Sequence, residues 1–136
     1  NETIRLEKAI FQATNKKGVF GCFEVTIGLN GRERVDYMTY DTSGIWRCYE
    51  IKVSMVDFKS KAKKSFVGNY NYYVMTHELY DKVKHEIPSN IGVYIGRKSV
   101  KRAKKQALLV SEDTLKTSMI RSLSREANKV FRNRDI

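Results

Sequence analysis

The sequence has few cysteines and no long apolar run, and each shortage excludes a class of protein. Its longest uncharged stretches are much shorter than the roughly 20 apolar residues that a membrane-spanning helix needs. Cys22 and Cys48 are the only cysteines. Each lies in a strand-like run, where a small buried thiol is favoured over a disulfide. We therefore expect a soluble protein of a reducing, intracellular compartment, the cytoplasm, without a membrane partner.

The chain also lacks internal repeats, low-complexity segments and linkers. Its 136 residues correspond to one domain. A chain of this length buries roughly two-thirds of the surface that its unfolded form exposes. Folding therefore requires neither a metal nor a disulfide, and we expect a single domain over residues 1–136.

Acidic residues are scarce relative to basic ones. The chain has 26 Lys and Arg against 15 Asp and Glu, a net charge of +11, and an isoelectric point near 9.7. The excess is concentrated in residues 97–136, which hold 12 basic and 4 acidic residues. A charge of this sign and size suits a polyanion, and nucleic acid is the commonest one. Nucleic acid, DNA first, is the expected partner, with residues 97–136 as a basic C-terminal extension.

Hydrophobic periodicity predicts a mixed fold of class α/β (α+β). Leu6, Ile10 and Ala13 recur at helical spacing, whereas the next three segments are rich in β-branched and aromatic residues and are joined by short turns. Three such strands in succession predict an antiparallel meander. The predicted helices are 3–13, 54 to about 66, 77 to about 85, and a last helix that begins after Ser111; the predicted strands are 19–27, 32–40, 45–53, 70–75 and 91–95.

Two glycine-ended turns predict how the three strands align. Leu29-Asn30-Gly31 and Thr42-Ser43-Gly44 each fit a three-residue hairpin loop whose last residue is left-handed. Residue 28 then faces 32 and residue 41 faces 45, which sets Glu24 opposite Asp36 and Asp36 opposite Glu50. Asn30-Gly31 could instead form a two-residue turn, which would shift the first pairing by one and turn Glu24 away. Alternation along the first strand predicts Phe23, Val25 and Ile27 on one face and Phe20, Cys22, Glu24 and Thr26 on the other.

The aligned strands would place three carboxylates in one row, those of Glu24, Asp36 and Glu50, with Lys52 two residues further along the same face. Like charges that face each other in a sheet are destabilising unless a cation or raised pKa values relieve them. Oxygen ligands that converge beside a lysine suit a divalent metal such as Mg²⁺. The alternative is that these residues are solvated acids on an exposed face.

Two basic segments are candidates for phosphate contacts. The predicted second helix begins directly after the acidic strand, so its lysines are well placed for a phosphate backbone, although they could equally form a solvated face. The other segment is the basic run before the last helix, whose own apolar stripe could pack on the sheet or against a second subunit. The candidate nucleic-acid-binding residues are Lys59, Lys61, Lys63, Lys64, Arg97, Lys98, Lys101, Arg102, Lys104 and Lys105.

The order helix, three antiparallel strands, helix, strand, with Asp36 on the second strand and Glu50-Ile51-Lys52 on the third, resembles the core of the PD-(D/E)XK nuclease superfamily. The runs 31–36, 44–46 and 49–60 are similar to those of the MmcB-type bacterial DNA-repair proteins, and the likeness covers about residues 19–96. It departs at Val35, where the superfamily has proline, and at Val53, where the MmcB-type proteins have serine. The tryptophan of their following helix is absent as well.

The resemblance implies a restriction-endonuclease-like core and a phosphodiesterase, either endonuclease or exonuclease, that depends on Mg²⁺ or Mn²⁺. Asp36 and Glu50, with the backbone carbonyl of Ile51, would hold the metal, and Lys52 would orient the attacking water and offset charge on the phosphate. Glu24 is the favoured additional ligand, and Glu7 on the first helix is its alternative.

The biological setting implied by the resemblance is DNA repair, recombination or the processing of phage and mobile-element DNA. Members of the superfamily often dimerise to cut two strands, so a homodimer is a further expectation. The alternative function is a non-catalytic DNA-binding module with the same fold.

Overall fold

The computed structural model describes residues 1–28, 33–60 and 65–135. Over these ranges the protein has a mixed α+β fold, as predicted, with one six-stranded sheet and four α-helices. The helices are α1 (Glu2–Thr14), α2 (Met55–Lys59), α3 (His77–Val83) and α4 (Glu112–Arg132). The strands are β1 (Val19–Ile27), β2 (Glu33–Asp41), β3 (Trp46–Lys52), β4 (Tyr70–Met75), β5 (Gly92–Ile95) and β6 (Lys98–Lys101).

The strands are arranged in chain order, from β1 at one edge to β6 at the other. The predicted meander of β1, β2 and β3 is antiparallel. β3, β4 and β5 are parallel, with α2 and α3 in the connections, so their carboxyl ends lie at one edge of the sheet. β6 pairs antiparallel with β5 and was not predicted, because its residues read only as part of a basic run.

The predicted register of the meander is confirmed. β1 and β2 pair Phe23 with Tyr37 and Val25 with Val35, and β2 pairs Tyr37 with Tyr49 on β3. The first alignment places Glu24 level with Asp36, and the second places Asp36 level with Glu50. Gly44 is left-handed at φ 81°, as its turn requires. The other turn, Leu29-Asn30-Gly31, lies outside the described residues; the pairing shifted by one residue, which was the alternative, is not the one observed between β1 and β2.

The predicted alternation along β1 is wrong. Cys22, Val25 and Ile27 all lie in one core cluster with α4, whereas Phe23 packs with the cluster on the α1 side. The change of face coincides with Glu24, whose φ of 53° interrupts the extended backbone. Because the side-chain alternation of a strand depends on continuous extended dihedrals, one left-handed residue changes the phase of everything that follows.

The last helix packs on the sheet, which is one of the two alternatives that its apolar stripe allowed. Leu115, Ser118, Met119 and Ser122 form its buried face, and Leu115 and Met119 join the core cluster of β1. Cys22 and Cys48 are both buried free thiols, as predicted. Burial raises the pKa of Cys48 to about 12, so this thiol stays protonated.

The helices begin where predicted, but α2 is shorter. Ser54, Thr76 and Ser111 each accept a backbone N–H of the first turn of α2, α3 and α4. Instead of running to about residue 66, α2 ends at Lys59. Ser60 is extended and its hydroxyl donates to the Asp57 carbonyl at 2.6 Å, a local bond that competes with the helical one. Likewise α3 ends at Val83, where a 3₁₀ turn, Lys84–Glu86, follows.

None of the helices in the described ranges is both long and apolar enough to cross a membrane.

Gly92→Ala should destabilise the sheet. A Cβ atom at this position would lie 2.5 Å from Cδ2 of Tyr72 and 2.8 Å from the Ala103 nitrogen, and the Tyr72 ring stacks on Tyr49 at 5.0 Å. Overpacking of this kind costs about 1–3 kcal/mol. Urea unfolding followed by the fluorescence of Trp46, the single tryptophan, measures it. The exposed Ser99→Ala on β6 is the control and should stay within about 0.5 kcal/mol of wild type; equal midpoints for both variants would contradict the prediction.

Candidate active site

The residues predicted for catalysis and metal binding line one cavity. It has a volume of about 430 Å³ and lies beside the carboxyl end of β3. Asp36, Glu50, Ile51, Lys52 and Glu24 all border it, so the fold brings together the whole set named from the sequence. The full lining is Thr3, Glu7, Glu24, Arg34, Asp36, Glu50, Ile51, Lys52, Asp57 and Ser60.

Asp36 and Glu50 are held against each other through the backbone. The Asp36 N–H donates to Oε2 of Glu50 at 3.0 Å, and the Ile51 N–H donates to Oδ2 of Asp36 at 2.8 Å. The ladder between β2 and β3 runs only from Tyr40 and Trp46 to Tyr37 and Tyr49. Beyond that point the backbone N–H groups of the two strands donate to the carboxylates instead of to carbonyls. These bonds fix both side chains where β2 and β3 separate.

Burial makes this pair electrostatically unfavourable. Glu50 is only 2% exposed. Its burial, together with the charge of Asp36, raises the pKa of Glu50 to about 8, against the lowering effects of the Asp36 N–H, the Ser65 side chain and Lys52. The pKa of Asp36 is also raised, chiefly by burial, although the Ile51 N–H and Lys52 oppose this. A positive charge between the two carboxyl groups would relieve both shifts.

Lys52 is held by Asp57 in α2 and by Ser60 directly after this helix. It is 5% exposed, and its Nζ donates to Oγ of Ser60 at 3.2 Å and lies 3.8 Å from Oδ1 of Asp57. The other Asp57 oxygen accepts the Val53 N–H at 3.1 Å. The short helix after β3 therefore fixes the ammonium group at the wall of the cavity.

Both candidates for the additional carboxylate border the cavity. Glu24 lies 3.8 Å from Nη1 of Arg34, and its charge contributes to the raised pKa of Asp36. Glu7 enters from α1, and burial and the charges of Glu24 and Asp36 raise its pKa. The geometry admits either residue, so the preference for Glu24 stays a prediction.

The donor set fits a hard divalent cation. Among the described residues, no group of three or more His, Cys, Asp or Glu side chains already has the arrangement of a metal centre. Asp36 and Glu50 each accept a backbone N–H with one carboxylate oxygen, and Glu24 lies near Arg34. Every candidate ligand is nevertheless a carboxylate or carbonyl oxygen, as Mg²⁺ and Mn²⁺ prefer. The raised pKa of Glu50 is a second sign of fit, since a neighbouring cation lowers the pKa of a carboxyl.

The candidate phosphate-binding residues fall into two groups. Lys59 lies on α2, which follows β3. Lys98 is level with Ile95, Met75 and Lys52 across the sheet, so it lies toward the same ends of the strands as the cavity. Three strand spacings separate Lys98 from Lys52, about 14 Å. Lys101 pairs with Val93, and the Lys104 N–H donates to the Asn90 carbonyl, so the chain after β6 runs toward the opposite edge. Arg97 belongs with the first group and Arg102 and Lys105 with the second; Lys61, Lys63 and Lys64 lie outside the described residues.

A scan against protein-family models and a search of curated proteins gave no match. Among solved structures, the fold is similar to that of SPO1766, a protein of unknown function from Silicibacter pomeroyi, with a TM-score of 0.70 and 19% sequence identity. The alignment covers 96% of this chain and 89% of that chain. At this identity the likeness shows the fold alone, and it extends over nearly the whole chain, α4 included.

Three polar residues of the site were missed from the sequence: Asp57, Ser60 and Ser65. Asp57 and Ser60 lie within the predicted second helix, and their short spacing from Lys52 already allowed this segment to reach back to the lysine. Ser65 had no sequence signal, because its contribution at Glu50 depends on how the chain returns after α2.

Proposed function

We propose that the protein is a metal-dependent nuclease that hydrolyses phosphodiester bonds in DNA. The main support is the convergence of Asp36, Glu50 and Lys52 on one cavity where β2 and β3 separate, with Glu50 buried and its pKa raised. Perturbed carboxyl groups in a cleft are typical of functional sites. The resemblance to the PD-(D/E)XK superfamily supports the same reading.

In this proposal Asp36 and Glu50, with the Ile51 carbonyl, would hold Mg²⁺ or Mn²⁺, and Glu24 or Glu7 would add a carboxylate. The bound ion would activate water and neutralise charge that develops on the phosphate. Lys52 presents its ammonium group to the cavity from the α2 side, where it would orient the water and stabilise the same developing charge. The backbone hydrogen bonds of Asp36 and Glu50 keep both carboxylates in place before substrate binds.

The proposed substrate follows from charge. The net charge of +11 favours a polyanion. Exposed Arg97 and Lys98 lie where β6 begins, level with the carboxyl end of β3 beside the cavity, and Lys59 is exposed on α2, which follows β3. DNA repair, recombination or mobile-element processing is the setting that the resemblance suggests. A homodimer that cuts two strands stays a prediction of the same origin.

The second candidate is a DNA-binding module that does not cleave. It is favoured by the basic residues near the opposite edge, Arg102, Lys104 and Lys105, which phosphate contacts at the cavity would not require. Such a module would bind DNA with a steep salt dependence and without a need for metal.

The test is incubation of wild type and Asp36→Asn with end-labelled single-stranded, duplex and branched DNA, in Mg²⁺, Mn²⁺ or EDTA. We expect cleavage by wild type only with metal and none by Asp36→Asn, with both proteins binding DNA alike in EDTA. Salt-sensitive binding without cleavage under any metal would support the binding module instead. Absence of salt-sensitive binding would contradict both functions.

A further inference from the structure

Glu24 has an unusual backbone conformation for its residue type. Among the residues that the structure describes, it is the only non-glycine residue with positive φ, at 53°. A side chain other than glycine or asparagine is disfavoured in this region, and such a conformation persists only where its surroundings impose it. Something must therefore hold Glu24 in place.

Arg125 on α4 supplies that constraint. Its Nη2 donates to the Glu24 carbonyl at 3.0 Å and to the Phe23 carbonyl at 3.2 Å. Its Nε donates to the neighbouring Glu126 carboxylate at 2.8 Å, which orients the guanidinium group. One planar side chain thus binds the carbonyl before the strained residue and the carbonyl of that residue itself.

The conformation of Glu24 decides where its carboxylate lies. The left-handed residue lets Val25 enter the α4-side core fully buried, while the Glu24 side chain borders the cavity with Asp36. In a regular strand with Val25 in its observed place, strict alternation would put Glu24 on the opposite face. It would also move Cys22 and Phe23 out of the clusters in which they are observed. The position of this carboxylate is therefore coupled to the two carbonyls that Arg125 binds.

We propose that Arg125 is a positioning residue of the active site: by binding the Phe23 and Glu24 carbonyls, it holds Glu24 left-handed and presents its carboxylate to a divalent cation in the cavity. The inference rests on the proposed function and adds α4, outside the region of family resemblance, to the site. Groups that orient metal ligands typically change metal affinity by about 10- to 100-fold when they are removed.

Arg121 provides a matched control. It lies one helical turn before Arg125 and also donates from Nη2 to a carbonyl next to β1, that of Gly28, at 2.6 Å. The contact resembles that of Arg125 but involves neither Glu24 nor the cavity lining. Arg121→Ala should therefore reproduce the loss of a helix-to-strand hydrogen bond without disturbing the carboxylate.

The first measurement is Mn²⁺ binding by isothermal titration calorimetry. We expect Arg125→Ala to bind Mn²⁺ about tenfold more weakly than wild type, Arg125→Lys to lie between them, and Arg121→Ala to equal wild type. Glu24→Gln should itself lower the Mn²⁺ affinity. Adding Arg125→Ala to Glu24→Gln should lower this affinity no further, because Arg125 acts through the carboxylate that is already gone.

A second measurement requires no metal. Arg125→Ala should lower the urea midpoint, and adding Glu24→Gly should recover part of that loss, because glycine takes positive φ without strain. Two results would overturn the role of Arg125 without affecting the proposed function. One is equal Mn²⁺ affinity for Arg125→Ala and Arg121→Ala. The other is a loss of Mn²⁺ affinity on Arg125→Ala that is as large in the Glu24→Gln background as in wild type. Absence of Mn²⁺ binding and of cleavage in wild type would instead overturn the proposed function.

Discussion

Lys52→Ala should lower the rate of DNA cleavage by about 10²- to 10⁴-fold, the range for removal of a positioned group that assists proton transfer or stabilises developing charge. It should leave Mn²⁺ binding within a fewfold of wild type. The reason is geometric: the ammonium group contacts Asp57 on α2 and Ser60 directly after it, whereas Asp36 and Glu50 are fixed by backbone N–H groups that the substitution does not touch. Single-turnover cleavage and calorimetry on the same protein measure the two effects.

Lys59→Ala is the control for charge alone. Lys59 is exposed on α2, so its loss should leave the cleavage rate nearly unchanged and reduce the salt dependence of DNA binding by about one phosphate contact. Cleavage by Lys52→Ala at the wild-type rate would remove the lysine from the proposed chemistry. If Lys52→Ala lost both Mn²⁺ binding and cleavage, the role of Lys52 would instead be to maintain the structure of the cavity.

Glu50→Gln should make the metal-free protein more stable at about pH 8 while abolishing its response to divalent cations. Burial raises the pKa of Glu50 from an ordinary value of 4.5 to about 8, so the folded protein holds this proton more tightly than the unfolded chain does. The resulting stabilisation is complete below about pH 4.5 and is lost as the pH rises through about 8. Between about pH 5 and pH 8 the free energy of unfolding of wild type should fall by on the order of a few kcal/mol relative to that of the variant.

The glutamine preserves the local structure. It has nearly the shape of glutamate, and its carbonyl oxygen can still accept the Asp36 N–H. Urea unfolding of both proteins in EDTA, at a series of pH values, isolates the contribution of Glu50 as the difference between the two curves.

Mn²⁺ should restore the stability of wild type at about pH 8, because a ligand that binds only the folded state at 100 times its Kd adds about 2.7 kcal/mol. It should add none to Glu50→Gln, which lacks a ligand in the proposed site. Below about pH 8, binding to wild type should release the Glu50 proton, since carboxylate ligands must be ionised. Parallel pH curves for the two proteins, or equal stabilisation of both by Mn²⁺, would contradict the prediction.

Sequence patterns alone predicted the meander, its register and the three central residues of the candidate site. Each depends on short-range rules: loop length and a left-handed Gly44 align β2 with β3, and that alignment brings Asp36 level with Glu50. The caps at Ser54, Thr76 and Ser111 are equally local. Patterns over a few residues predict such features because the physical interactions themselves span only a few residues.

Tertiary structure decided the features that depend on distant partners. β6 forms because β5 offers it an open edge, which the basic run does not indicate. Because β6 runs across the sheet, the basic residues before it lie at one end of the strands and those after it at the other. Glu24 breaks the alternation of β1 while bound by Arg125, which is 101 residues away in the chain. No periodicity of β1 encodes that contact, because it exists only after α4 has packed on the sheet.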